Sequence, residues 1–240
     1  MKIMRTFALA FIALFCAFTV SAQTADEIIN KYLDASGGKD FLSKLTSVYY
    51  EGTMDVMGMQ AAIKNTTLNG KGTKQEIEIQ GSLMTTCYND KGGWSTNPFM
   101  GTGIPEDMPE TQYNAGKDNI VLGAPFINYA EKGYKAELVG NETVGDVSAF
   151  VIKMTSPLNT TSTYYFDPNN FQMLKSVEQA DMQGQMVENV INYSDYRTTE
   201  GYPMPFKIDM NMAGGQFLMT MTVDTVMLNV PVNDSIFLKP

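Results

Sequence analysis

Histidine is missing from all 240 residues, and with it the commonest general base and metal ligand. Cysteine is nearly missing. Cys16 sits in an apolar N-terminal run, so Cys87 stands alone in the remainder and no internal disulfide can form there. The apolar–polar run around Cys87 makes it a small buried hydrophobe rather than a nucleophile. No Cys pair or HExxH helix offers a metal site, and no GxSxG elbow or phosphate loop joins a strand to a helix. Carboxylates are plentiful, among them Asp55, Glu106, Asp107 and Asp195, but nothing marks two of them as an acid–base pair. They read as a solvated face. The expectation is a protein that is not an enzyme and has no cofactor or metal, with an acid-based hydrolase as a distant rival.

Positive charge is scarce too. The formal net charge of −9 becomes −11 without Lys2 and Arg5, which argues against nucleic acid and against electrostatic docking on anionic lipid. Those two cations belong to a signal peptide over residues 1–22. Met1–Arg5 is its basic region, Phe7–Val20 its apolar region, and Val20-Ser21-Ala22 its cleavage site, leaving Gln23 first. The apolar run is short of the ~20 residues that span a bilayer. Phe15 before Cys16 is too large for a lipidation site. The remainder, 23–240, is read as one exported, soluble domain.

The most informative stretch that is present runs from Met204 to Val223, two alternating strands around Ala213-Gly214-Gly215-Gln216. With Gly214-Gly215 as the tip of a primed turn, paired positions sum to 429. Met212 then faces Phe217, Met210 faces Met219, Ile208 faces Met221 and Phe206 faces Val223, all on one side of the ribbon. Pro205, Lys207, Asp209 and Asn211 occupy the other. Four methionines among eight paired residues make either an ordinary sheet core or an adaptable wall for a flexible apolar ligand.

Thr24-Ala25-Asp26-Glu27 reads as a capping box opening an amphipathic helix that Gly37-Gly38 ends, with a second short helix over Lys39–Leu45. Too short for a domain, the pair suits a lid over a sheet. Alternating strands follow over Ser47–Val56, Thr73–Gln80 and Leu83–Asn89, and again from Lys135 to Leu228. Between them, Lys91–Phe126 carries Pro98, Pro105, Pro109 and Pro125 and is read as a long covering loop that breaks any sheet, with a short helix near Glu106–Tyr113. The fold class is mainly β: a single open antiparallel half-barrel of about ten to eleven strands covered by a few short helices. Uneven strands, the intervening helices and the final Phe237-Leu238-Lys239-Pro240 argue against a transmembrane barrel.

The capped helix, the stretch Tyr88-Asn89-Asp90-Lys91-Gly92-Gly93-Trp94-Ser95-Thr96-Asn97-Pro98-Phe99, the later Ser176-Val177-Glu178-Gln179 and the closing Ile236-Phe237-Leu238-Lys239-Pro240 resemble the LolA-like superfamily. That superfamily comprises periplasmic lipoprotein carriers and outer-membrane lipoprotein-sorting proteins. The resemblance implies an incomplete barrel whose mouth is covered by helices and whose apolar cavity takes acyl chains. Trp94, Pro98 and Phe99 match the family's Trp and Pro-Phe positions just past its Asp-Gly turn. One feature departs from it: the family's lipoprotein carriers close their lid with a buried arginine, whereas this chain after residue 22 has only Arg197, expected to be exposed and paired with an acid.

The function so implied is a periplasmic carrier for the acyl chain of a lipoprotein or lipid, monomeric, with envelope membrane proteins as its contacts and no nucleic acid. The expected ligand-binding residues are Met54, Val56, Trp94, Phe99, Phe206, Ile208, Met210, Met219 and Met221. The alternative is a protein-binding or envelope-sensing module on the same fold, its interior filled by its own side chains.

Overall fold

A computed structural model describes residues 23–240 except Met100, Thr102 and 183–184, and excepting the side chains of 180–185. The expected signal peptide, and a turn that Gln183-Gly184 suggests by its composition, lie outside the described residues. Among the described residues every strand belongs to one antiparallel sheet in the order β6-β5-β4-β3-β2-β1-β13-β12-β11-β10-β9-β8-β7. Its two edges do not meet, so the sheet is open.

The N-terminal half comprises β1 (Ser47–Val56), β2 (Met59–Leu68), β3 (Gly72–Ile79), β4 (Ser82–Asn89), β5 (Gly93–Thr96) and β6 (Glu106–Asp107). The C-terminal half comprises β7 (Lys135–Val144), β8 (Val147–Thr155), β9 (Thr161–Phe166), β10 (Met173–Met182), β11 (Gln185–Thr199), β12 (Tyr202–Met212) and β13 (Phe217–Leu228).

Thirteen strands therefore replace the ten or eleven expected. β2 carries no apolar alternation, because its inward residues pass from Ala61 and Ile63 to Asn65 and Thr67. β5 and β6 fall within the proline-rich stretch, so that stretch does not break the sheet as anticipated. Pro98, Pro105 and Pro109 stand just outside the two strands, where a missing N–H removes no ladder bond. The helix expected at Glu106–Tyr113 forms later, as α3 (Glu110–Gly116), with a 3-10 turn at Lys117–Ile120; α1 (Ala25–Ala35) and α2 (Lys39–Lys44) precede the sheet.

The capping box of α1 is complete. Thr24 Oγ1 accepts from the Glu27 N–H at 3.2 Å, and the Thr24 N–H donates to Glu27 Oε2 at 3.2 Å. Ile28, Ile29 and Leu33 of α1 and Leu42 of α2 bury against Val48, Leu228, Ile152, Phe166 and Met173. Phe126, from the long connection, completes this core edge-on to Tyr32 and Tyr164. The helices and the connection thus cover one face of the sheet, the concave one, at the end where β1 begins.

The β12–β13 register is the one that a sum of 429 gives: Met212↔Phe217, Met210↔Met219 and Ile208↔Met221. Its tip differs from a two-residue turn. Ala213, Gly214 and Gly215 take φ of 54°, 65° and 98°, and the ladder stops at Met212↔Phe217. The Ala213 N–H donates instead to Asn189 Oδ1 of β11 at 2.8 Å, which draws it off its partner strand. Gly52, opposite the bulge between β1 and β13, has a steric role: a Cβ there would lie 2.0 Å from the Thr222 carbonyl oxygen.

A concave face split into apolar and polar rungs

Registers assign each inward residue to a rung crossing the sheet. On β2–β4 the rungs nearest the hairpin tips are apolar: Ala61 opposite Ile79, then Ile63–Ile77–Met84. The next two are polar: Asn65–Gln75–Thr86, then Thr67–Thr73–Tyr88. Across β1, β13 and β12 the apolar half continues through Met54–Met221–Ile208 and Val56–Met219–Met210.

The apolar ones among these residues except Met84, with Met204, Phe206 and Val223, form a cluster that adjoins the helix-covered core through Tyr202 and Val226. Among the described residues every apolar side chain packed in it belongs to a strand. Met54, Phe206 and Met221 are buried by their neighbours, while Val56, Ile208, Met210 and Met219 stay half-buried. The exposed Met57, Met59 and Phe217 extend this surface onto the tips of the β1–β2 and β12–β13 hairpins. Seven of the nine residues singled out from sequence are therefore contiguous.

Trp94 and Phe99 do not join them. Trp94 pairs with Cys87, whose side chain is on the convex face, and packs there against Phe237. Phe99, 55 % exposed, lies beyond β5 in the proline-rich connection. Cys87 is fully buried, and burial pushes its thiol up to about 12, so it is the inert small hydrophobe expected.

Two cavities open on the concave side. One of about 420 Å³ is bounded by the polar rungs, Tyr50 and Asn119. The other, about 530 Å³, lies between the Lys117–Tyr134 stretch and strands β8–β10, where Lys117, Lys132, Asp118 and Glu178 join Met154 and Tyr164. Asn119 borders both, so the 3-10 turn that carries it divides the hollow. Desolvation raises the Glu178 carboxyl above its usual range. A third cavity of about 430 Å³, on the convex side, is lined by Trp94, Tyr113, Asp107 and Lys239. Among the described residues no grouping of Cys, Asp and Glu suits a metal ion.

No protein-family model matches the chain, and no curated protein does. Solved structures do. A LolA superfamily protein from Nitrosomonas europaea superposes with a TM-score of 0.61 at 15% identity, over 91% of this chain and 99% of that one. An outer membrane lipoprotein-sorting protein domain from Vibrio parahaemolyticus gives 0.59 at 13% identity, over 89% and 95%. A DUF1329 family protein from Desulfovibrio piger gives 0.61 at 11% identity, over 90% and 98%. The fold is LolA-like. At such identities the likeness extends to architecture alone, an open half-barrel with helices at its mouth.

Within that LolA-like frame Arg197 stands apart from any lid. Its guanidinium donates to both Asp195 carboxylate oxygens, at 3.1 and 2.6 Å, on the exposed surface, and lies 4.7 Å from the centre of the Phe206 ring. An exposed pair of this kind contributes little. The Arg197→Ala variant is expected to leave the melting curve unchanged; a fall in Tm of more than about 3 °C would show that the pair and its stacking on Phe206 carry stability.

The polar rungs are the functional candidates that composition does not disclose. The signal that would find them is a count of inward positions forward from the Met57-Gly58 turn, which places Asn65 and Thr67 on the same face as Ile63.

Proposed function

We propose that the chain is an exported periplasmic carrier that holds an acyl chain, of a lipoprotein or a free lipid, against the methionine wall. The observation that carries this reading is the wall itself: apolar, half-buried along Val56, Ile208, Met210 and Met219, on the concave face, and built among the described residues from strand side chains alone. Large apolar side chains are costly to leave wet, and each methylene that lodges against them contributes about 0.8 kcal/mol. Methionine adapts to a flexible chain without a fixed shape of its own. The binding residues are Met54, Val56, Phe206, Ile208, Met210, Met219 and Met221, with the exposed hairpin tips as the entry. Trp94 and Phe99 take no direct part.

The rival reading, a protein-binding or envelope-sensing module with a filled interior, is less favoured because cavities of about 530 and 420 Å³ remain on the concave side. Native mass spectrometry of the purified protein is the test. The expected result is a co-purified lipid, or stoichiometric uptake of an added lipid with a fluorescent acyl chain. Bare protein that takes up neither would remove the carrier reading.

A further inference from the structure

The concave hollow is amphipathic along the strand direction, and this constrains the head of the ligand as well as its tail. Two residues along β2, β3 and β4, a displacement of roughly 7 Å, separate Ile63–Ile77–Met84 from Asn65–Gln75–Thr86. Tyr50 belongs to both halves: it packs on the apolar cluster and borders the 420 Å³ cavity. The groups around that cavity are hydroxyls and carboxamides, with no Lys, Arg, Asp or Glu among them. Several are already organised: the Thr67 and Thr73 hydroxyls bond at 2.9 Å, and Asn65 Nδ2 donates to Thr67 Oγ1 at 3.1 Å. Burial keeps the Tyr50 phenol neutral, its pKa pushed up to about 12.

From this juxtaposition we propose that the ligand is an amphiphile with an uncharged, hydroxyl- or amide-bearing head group, seated on the polar rungs while its tail lies on the methionine wall. The inference rests on the carrier reading above. A wholly apolar head would leave buried hydroxyls and amides without partners. A phosphate or carboxylate would lose water and find no counter-charge. A charged head would go instead to the larger cavity beyond Asn119, where Lys117 and Lys132 lie beside Asp118 and Glu178.

The experiment is a competition read by native mass spectrometry on the full chain after residue 22. Monohexadecanoyl glycerol is offered at equal concentration with hexadecanoyl lysophosphatidylcholine, which has the same tail, no net charge and a phosphate. Glycerol-headed lipid is expected to be favoured by about tenfold, the factor that one or two well-made hydrogen bonds supply. The N65L/Q75L double variant, and separately the milder T86V, should lower that ratio. A ratio near one, a preference for the phospholipid, or a preference that survives both variants would overturn the head-group assignment and leave the carrier reading intact. Binding of neither lipid would remove both.

Discussion

Replacing Met219 with aspartate is expected to abolish acyl-chain uptake, with at least a hundredfold loss of affinity, while the protein still folds. Met219 lies between Val56 of β1 and Met210 of β12 in register, at the centre of the wall, and is half-buried. In the empty protein a carboxylate there keeps contact with water, so the cost to stability is modest. When a hydrocarbon tail covers it, that water is lost and no cation is at hand, since Arg197 stacks on Phe206, four residues along β12 from Met210, and the several kcal/mol of desolvation fall on binding alone. Met210→Asp should behave alike. The control is Thr222→Asp, on the same strand but the exposed face, where the paired residue is Lys207; its uptake should equal wild type. Titration of a monoacylglycerol with a fluorescent acyl chain against the three variants decides the matter. Wild-type affinity in both wall variants would place the ligand elsewhere.

The wall is legible in the amino-acid order because a glycine-tipped hairpin and strand parity fix which side chains share a face. The register at Met210↔Met219 depends on the loop length between Met212 and Phe217 and not on its conformation. It is therefore indifferent to Ala213 leaving the ladder for Asn189. Trp94 shows the limit. Whether a side chain points inward depends on the neighbouring strand, and β5 is placed by Cys87↔Trp94 pairing across a turn that the surrounding glycines and prolines obscure. A family match at one position likewise says nothing about the face that position occupies. Gly52 reads locally as one more member of an alternating strand. Its need for a hydrogen in place of a side chain arises from Thr222, 170 positions along the chain, through a bulge in a register that local periodicity does not contain. The polar rungs are hidden for a related reason. Once the inward residues of a strand turn from Ile63 to Asn65, a period-two hydrophobic pattern no longer exists to be found.

The largest loss of stability should come from the opposite side of the sheet, with the Phe237→Ala variant. Phe237 is 1% exposed, its ring lies over Gly72 so closely that a Cβ there would fall within 2.5 Å of it, and Cys87, Trp94 and Leu68 surround it. Its carbonyl oxygen accepts from Trp94 Nε1 and Asn89 Nδ2, each at 3.0 Å, and from the Cys87 thiol at 3.4 Å. The C-terminal segment is thus fastened to β3, β4 and β5 chiefly by this ring and this carbonyl, with Val232 packed beside them and Lys239 Nζ bonded to Asp107 of β6 at 2.6 Å. Removing the ring should cost about 3–5 kcal/mol through the cavity and lost transfer energy, which in a domain of this size lowers Tm by roughly 10 °C. Because the carbonyl bonds depend on the ring to hold the segment down, the single tryptophan reports its release. In F237A its emission should shift to the red below the global transition, whereas in the wild type both change together. Lipid uptake at low temperature should be unaffected, since wall and anchor occupy opposite faces of the sheet. A variant that melts within about 2 °C of wild type would mean that the segment merely rests on the sheet, and that the convex face is held by its strands alone.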